Sequence, residues 1–236
     1  HPPVGGAELG HISLERQRSL KSEVLAEQLR RLAGVERPIT VEAVGEPGTP
    51  ATAGLAWRTR AGFAVTPAGK LGMHAHRSDT VLPVGEMPLA ADAINALRLW
   101  DIDLQGIERI EVAAPANGSR PLVLLVLAPG TRAKRLSAVL AELPEDVSAA
   151  SFDPVKGEVL RLRGRTYVQE TAAGHNYRVT GDGFWQIHRD APDTLVGAVT
   201  GFLHDGGFLD AGAAVADLYA GAGLFTAPLA DAVGVT

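Results

Sequence analysis

Apolar residues first recur at helical spacing at Leu20, Val24, Leu25, Leu29 and Leu32. This spacing predicts a helix from Ser13 to Ala33, with Ser13 able to cap its start and Gly34 suited to its stop. From residue 38 to 84 the period shortens to two. Ile39–Val44, Trp57–Val65, Leu71–His76 and Val81–Val84 read as short strands, with a turn at Pro67-Ala68-Gly69. Leu89–Trp100 reads as a helix. Ile107–Ala113 and Pro121–Leu127 are strands, and the second is almost wholly apolar, as befits a strand with no solvent face. A helix over Ala133–Leu143 and strands at Val147–Phe152, Glu158–Leu162 and Thr166–Gln169 complete this region. Residues 1–178 therefore predict an α+β domain with a mostly antiparallel sheet.

The pattern changes near Gly181. Phe184-Trp185-Gln186-Ile187-His188 precedes a helix that Asp190 can cap, with Pro192 in its first turn and Asp193 at its positive end. Leu195, Val199, Phe202 and Leu203 form its expected buried stripe. A short apolar strand, Val215–Leu218, then runs into Tyr219-Ala220-Gly221-Ala222-Gly223 and a helix beginning near Leu224. Helix, strand, glycine turn and helix open a doubly wound α/β fold, so residues 179–236 predict the first part of a Rossmann-like domain.

That turn carries the candidate chemistry. Gly221 and Gly223 lack a Cβ, so the chain can bend sharply and a ligand can approach the backbone. Asp217 ends the expected strand and faces the same crevice. The dinucleotide fingerprint Gly-x-Gly-x-x-Gly fails here, because Thr226 stands three residues after Gly223. An acidic residue directly before the turn is more typical of S-adenosylmethionine (SAM) sites.

Together these segments resemble the RNA uracil-C5 methyltransferases. Asp217-Leu218-Tyr219-Ala220-Gly221-Ala222-Gly223-Leu224-Phe225-Thr226 is similar to the family's Asp-Leu-Phe/Tyr-Cys-Gly-x-Gly-x-Phe-Thr segment. Phe184-Trp185-Gln186-Ile187-His188 is similar to its Phe-x-Gln-Val-Asn segment. Gly5-Gly6-Ala7-Glu8-Leu9-Gly10-His11 with Gln17-Arg18 and Lys21 resembles its cysteine-rich start. Trp57-Arg58-Thr59-Arg60 resembles its Tyr-Arg-x-Arg strand, and Val84-Gly85-Glu86-Met87-Pro88-Leu89 the region of its last cluster cysteine.

The resemblance implies a mechanism. A cysteine attacks C6 of uracil, C5 takes the methyl group of SAM, and a base removes the C5 proton. The substrate would be a uridine in tRNA or rRNA, presented unstacked. It also implies that Gln186, Asp217, Tyr219, Gly221, Gly223 and Leu224 bind the cofactor. Leu224 stands where some members have a polar contact, and His188 where asparagine is usual. Arg58 and Arg60 are expected to contact RNA; Phe184 and Trp185 are candidates to stack on an extruded base, and core packing is an equal alternative for both. Further arginines at 161, 163 and 165, and the group His74, His76 and Arg77, are weaker candidates for phosphate contacts.

Composition limits these expectations. The 236 residues contain no cysteine and carry a net charge of −5. No iron–sulfur cluster is therefore expected, since Val4, Ala7 and Met87 occupy cluster positions, and no metal site is expected. The nucleophile and base lie downstream of Thr236 in the family, so no catalytic residue is assigned within the chain, which reads as a truncated enzyme. The net charge gives no bulk nucleic-acid signature, so an RNA partner needs a local patch. With neither a membrane span nor a signal pattern, a cytoplasmic protein is expected. The oligomeric state is open. The alternatives are a non-catalytic RNA-binding protein derived from the family, or a class I methyltransferase with another substrate.

Overall fold

The computed structural model describes residue 4 and residues 9–45 and 54–234. A seven-stranded sheet organises the chain in the order β3-β2-β1-β4-β5-β6-β7. Its strands are β1 (Arg60–Val65), β2 (Leu71–His74), β3 (Val81–Pro83), β4 (Ile107–Ala113), β5 (Leu122–Leu127), β6 (Ser148–Asp153) and β7 (Glu158–Arg163). All neighbours pair antiparallel except β5 and β6. Helix α3 (Ala133–Glu142) makes the crossover that this parallel pair requires.

The apolar run of β5 is explained by burial on both faces. Val123 and Leu125 join one core with Ile110, Val112, Leu104, Val139 and Phe63. Leu122 and Leu124 point the other way, into a second core with Val168, Tyr177, Val179, Trp185, Val196 and Leu224. The second core holds the candidate site. It is capped by a separate hairpin, β8 (Tyr167–Ala172) with β9 (His175–Thr180), and by helix α4 (Ala191–Asp205).

Several expectations change. Strand β9 was not anticipated, and the expected domain break at residue 178 falls inside it. The helix at Leu89–Trp100 shrinks to α2 (Asp92–Asn95) and a 3-10 turn at Leu99–Asp101. Helix α1 (Leu14–Ala33) forms between Ser13, whose side chain accepts from the Arg16 N–H, and a left-handed Gly34. It buries no residue, and Val24, Leu25 and Leu32 stay exposed. Residues 39–44 form no strand; there the Val41 N–H donates to Ser22 Oγ on α1 at 3.0 Å.

Near the end of the chain, Val215–Leu218 also forms no strand, and helix α5 (Thr226–Ala232) starts two residues later than expected. A strand is held by ladder bonds to a neighbour, and no strand among the described residues pairs with this segment. In α4 the buried residues are Pro192 and Val196, whereas Phe202 is exposed. Asp190 takes the N-cap position without a side-chain cap bond. The Asp193 carboxylate instead accepts the Ala173 N–H at 2.6 Å, tying the tip of the β8–β9 hairpin to the helix.

Candidate functional site

Two groups of expected residues are widely separated in sequence and adjacent in the fold. The Thr59 N–H donates to the Ile187 carbonyl at 2.8 Å, and the Arg189 N–H donates to Trp57 at 2.9 Å. The segment carrying Gln186 is thereby laid alongside the start of β1. Trp57 and His188 stack with ring centroids 5.5 Å apart, and the Arg58 guanidinium lies 5.4 Å from the Trp57 centroid. Burial lowers the pKa of His188, so the imidazole favours its neutral form; Asp190 opposes this and Arg189 reinforces it.

Arg58 and Arg60 line a cavity of about 250 Å³ with Gly62, Glu111, Leu124 and Ile187. Arg60 donates to the Gly183 carbonyl at 2.8 Å. Its Nε and second terminal nitrogen are buried without a partner among the described residues. Unpaired buried donors on a cation are costly. Desolvation lowers its pKa, with Glu170 and then Glu111 opposing.

Glu170 is itself 3% exposed, and its Oε1 has no hydrogen-bond partner among the described residues. Burial raises its pKa to about 7, against the attraction of Arg60. The sequence reading missed Glu170. The signal was present in the alternation Val168, Glu170, Ala172, which places a carboxylate on the buried phase of β8.

The stacking pair separates. Phe184 is 76% exposed and free to meet a base, whereas Trp185 is 4% exposed and packs on Tyr177 with centroids 5.1 Å apart. Trp185 is therefore a core residue. Arg163 also has another use. It donates to the carbonyls of Val147, Leu140, Leu143 and Pro144, closing the end of α3. Arg161, His74, His76 and Arg77 are exposed.

The glycine turn is built as a bend. Tyr219, Gly221 and Gly223 have φ of 62°, 58° and 83°. The left-handed region costs a non-glycine residue about 1–2 kcal/mol, which makes Tyr219 a strained position. Its side chain is fully exposed, and Leu218 beside it is also exposed. The N–H groups of Leu218 through Ala222 have no partner among the described residues. Exposed apolar and aromatic surface beside free donors fits an adenosine-bearing ligand. Asp217 is less free than expected, because its carboxylate accepts the Thr226 hydroxyl at 2.6 Å. The Leu224 side chain is buried in the second core, and its carbonyl accepts from the Tyr177 hydroxyl at 3.1 Å. The Gln186 side chain, half-buried, has no hydrogen-bond partner among the described residues.

Among the described residues, no group of histidine or acidic side chains could hold a metal ion, and no helix is long and apolar enough to cross a membrane. Val4 bridges Ala75, and Met87 packs against the first core. Ala7 lies outside the described residues.

No protein-family model matches the chain. It is 38% identical over 240 residues to a protein of Streptomyces avermitilis named "Uncharacterized RNA methyltransferase". That match covers 98% of this chain and 52% of the relative. A Streptomyces coelicolor protein, also named an uncharacterized RNA methyltransferase, is 38% identical over 98% of this chain and 49% of its own length. The chain thus spans about half the length of the curated relatives it matches. The Pyrococcus abyssi tRNA (uracil-54, C5)-methyltransferase, solved with S-adenosyl-L-homocysteine, shares the fold. Its TM-score is 0.66 at 20% identity, over 98% of this chain and 57% of that one. Along nearly its whole length the chain is similar to these proteins named as RNA methyltransferases, matching about half of each.

Proposed function

We propose that the protein carrying these residues methylates C5 of a uridine in tRNA or rRNA, with SAM as methyl donor. The observation that carries this reading is the joining of two sites. The arginine-bearing segment at the start of β1 and the segment that follows Gln186 share backbone hydrogen bonds. On this reading, an RNA-facing surface and one wall of a cofactor site are parts of one unit. The relatives named RNA methyltransferases and the fold shared with a tRNA uracil-C5 methyltransferase support it.

In this reading SAM, when bound, supplies an electrophilic methyl group. The residues of this chain bind and orient. Gly221 and Gly223 let the backbone close around the donor, with Tyr219 and Asp217 beside it and Gln186 opposite. Leu224 contributes through its backbone. Arg58 and Arg60 meet RNA phosphate or base acceptors, and Phe184 stacks on an exposed base. Attack on C6 needs a thiolate, and these 236 residues contain none. The proposal therefore places the nucleophile, and the base that removes the C5 proton, in sequence outside them. It places the enzyme in the cytoplasm, where its RNA is.

The test is nucleoside mass spectrometry on tRNA and rRNA from a strain lacking the gene. Loss of 5-methyluridine at one position, restored by complementation, is the expected result. Unchanged 5-methyluridine at every position refutes the proposal.

A further inference from the structure

Strand β9 runs between two parts of the proposed cofactor site that share no hydrogen bond among the described residues. Its inward residues are His175, Tyr177 and Val179. Tyr177 is 6% exposed. One face of its ring packs against Trp185, which directly precedes Gln186. Its hydroxyl donates to the carbonyl of Leu224, the residue after Gly223. Two residues away, His175 Nε2 lies 3.1 Å from Asp231 Oδ2 in the last turn of α5. His175 and Tyr177 also meet edge to face. The strand therefore touches the glycine turn at its exit and the following helix at its end. From the same ring it also touches the segment bearing Gln186.

We propose that Tyr177 is a positioning residue for methyl-donor binding, a spacer that sets the distance between the Gln186 segment and the glycine turn. The inference rests on the cofactor reading given above. The two walls come from different parts of the chain, and neither lies in the seven-stranded sheet. The turn has no strand ladder to fix it, since Val215–Leu218 pairs with nothing among the described residues. Leu224 and Phe225 at its exit pack on the second core, and two side-chain hydrogen bonds hold it: Asp217–Thr226, which is local, and Tyr177–Leu224, which reaches 47 residues along the chain. Burial, reinforced by Asp193 and Asp231, raises the phenol's pKa and keeps it a donor. The ring is held by the second core, and that core is anchored on β5. The sheet thus reaches the turn through the second core, and Tyr177 supplies the hydrogen bond from that core to the turn.

The experiment uses the full-length protein and isothermal calorimetry with S-adenosyl-L-homocysteine. Tyr177→Phe removes the hydroxyl and keeps the ring against Trp185. Loss of one buried hydrogen bond predicts a Kd for the nucleoside ligand raised about three- to tenfold. The KM for SAM should rise in parallel, with kcat at saturating SAM and the KM for RNA unchanged. Val168→Ala, which thins the same core from the neighbouring strand and removes no hydrogen bond to either wall, should lower thermal stability and leave the Kd unchanged. An unchanged Kd in Tyr177→Phe overturns the proposal. So does an equal loss of donor and RNA affinity, or a Kd raised as much by Val168→Ala. Wild-type protein that gives no heat with the nucleoside is a separate outcome, which removes the cofactor reading and the proposal with it.

Discussion

Replacing Glu170 by glutamine should alter how stability depends on pH, and the structure gives the sign and the size. The carboxyl is 3% exposed, and burial raises its pKa from 4.5 to about 7 despite the attraction of Arg60. Between these values the folded protein holds a proton that the unfolded chain has released. The stability tied to this proton is therefore fully present below pH 4.5. It declines as pH rises and is gone once the pH passes about 7. At about 1.36 kcal/mol per pKa unit, the wild type loses about 3 kcal/mol across this window from Glu170 alone. Glutamine cannot ionise, so Glu170→Gln lacks that loss. The difference in unfolding free energy between variant and wild type should move by about 3 kcal/mol in favour of the variant from pH 4.5 to pH 8. Urea denaturation at four pH values measures it, using one protein preparation for each variant. The opposing physics is the coulombic attraction of Arg60. If attraction to Arg60 outweighed desolvation, the variant would fall behind the wild type as pH rises. Parallel pH profiles, or a variant penalised more at pH 8 than at pH 5, would refute the argument.

Further consequences follow from the same geometry. If Arg60 meets RNA as proposed, Arg60→Ala should weaken RNA binding and reduce the slope of log affinity against log salt by about 1, because one cation leaves the interface; filter binding across a salt series reads this. Arg163→Ala should lower stability by about 1.5–3 kcal/mol, since it strips a charged donor from the carbonyls ending α3, with RNA affinity and salt slope unchanged. That contrast separates a structural arginine from a binding one. Gly223→Ala should cost about 1–2 kcal/mol of backbone strain at φ 83°, and it should weaken S-adenosyl-L-homocysteine binding in calorimetry.

Local chemistry made parts of this protein readable in advance. Ser13 and Gly34 bounded α1, because a hydroxyl cap and a left-handed glycine act within one turn. The apolar run at 122–127 announced a strand buried on both faces. The glycine turn, with Gly221 and Gly223 both at positive φ, was legible because only a bend needs those residues there. Periodicity misled where no neighbour was available. Ile39–Val44 alternates and Val215–Leu218 is apolar, yet neither finds a ladder partner among the described residues. The apolar stripe of α1 likewise finds no surface to cover it among the described residues.

Distance in sequence hid the rest. Trp185 and Phe184 are adjacent, large and aromatic, and nothing in their order tells which faces inward; packing against Tyr177 decided it. Arg60 reads as an exposed cation until Gly183, 123 residues away, takes one of its donors and the second core closes over the others. The carboxyl of Glu170 acquires its proton affinity from that same enclosure. Alternation, caps and turns are set by neighbours a few residues apart, so sequence alone specifies them. Which polar groups lose their water depends on segments brought together across the fold, and only the tertiary structure decides that.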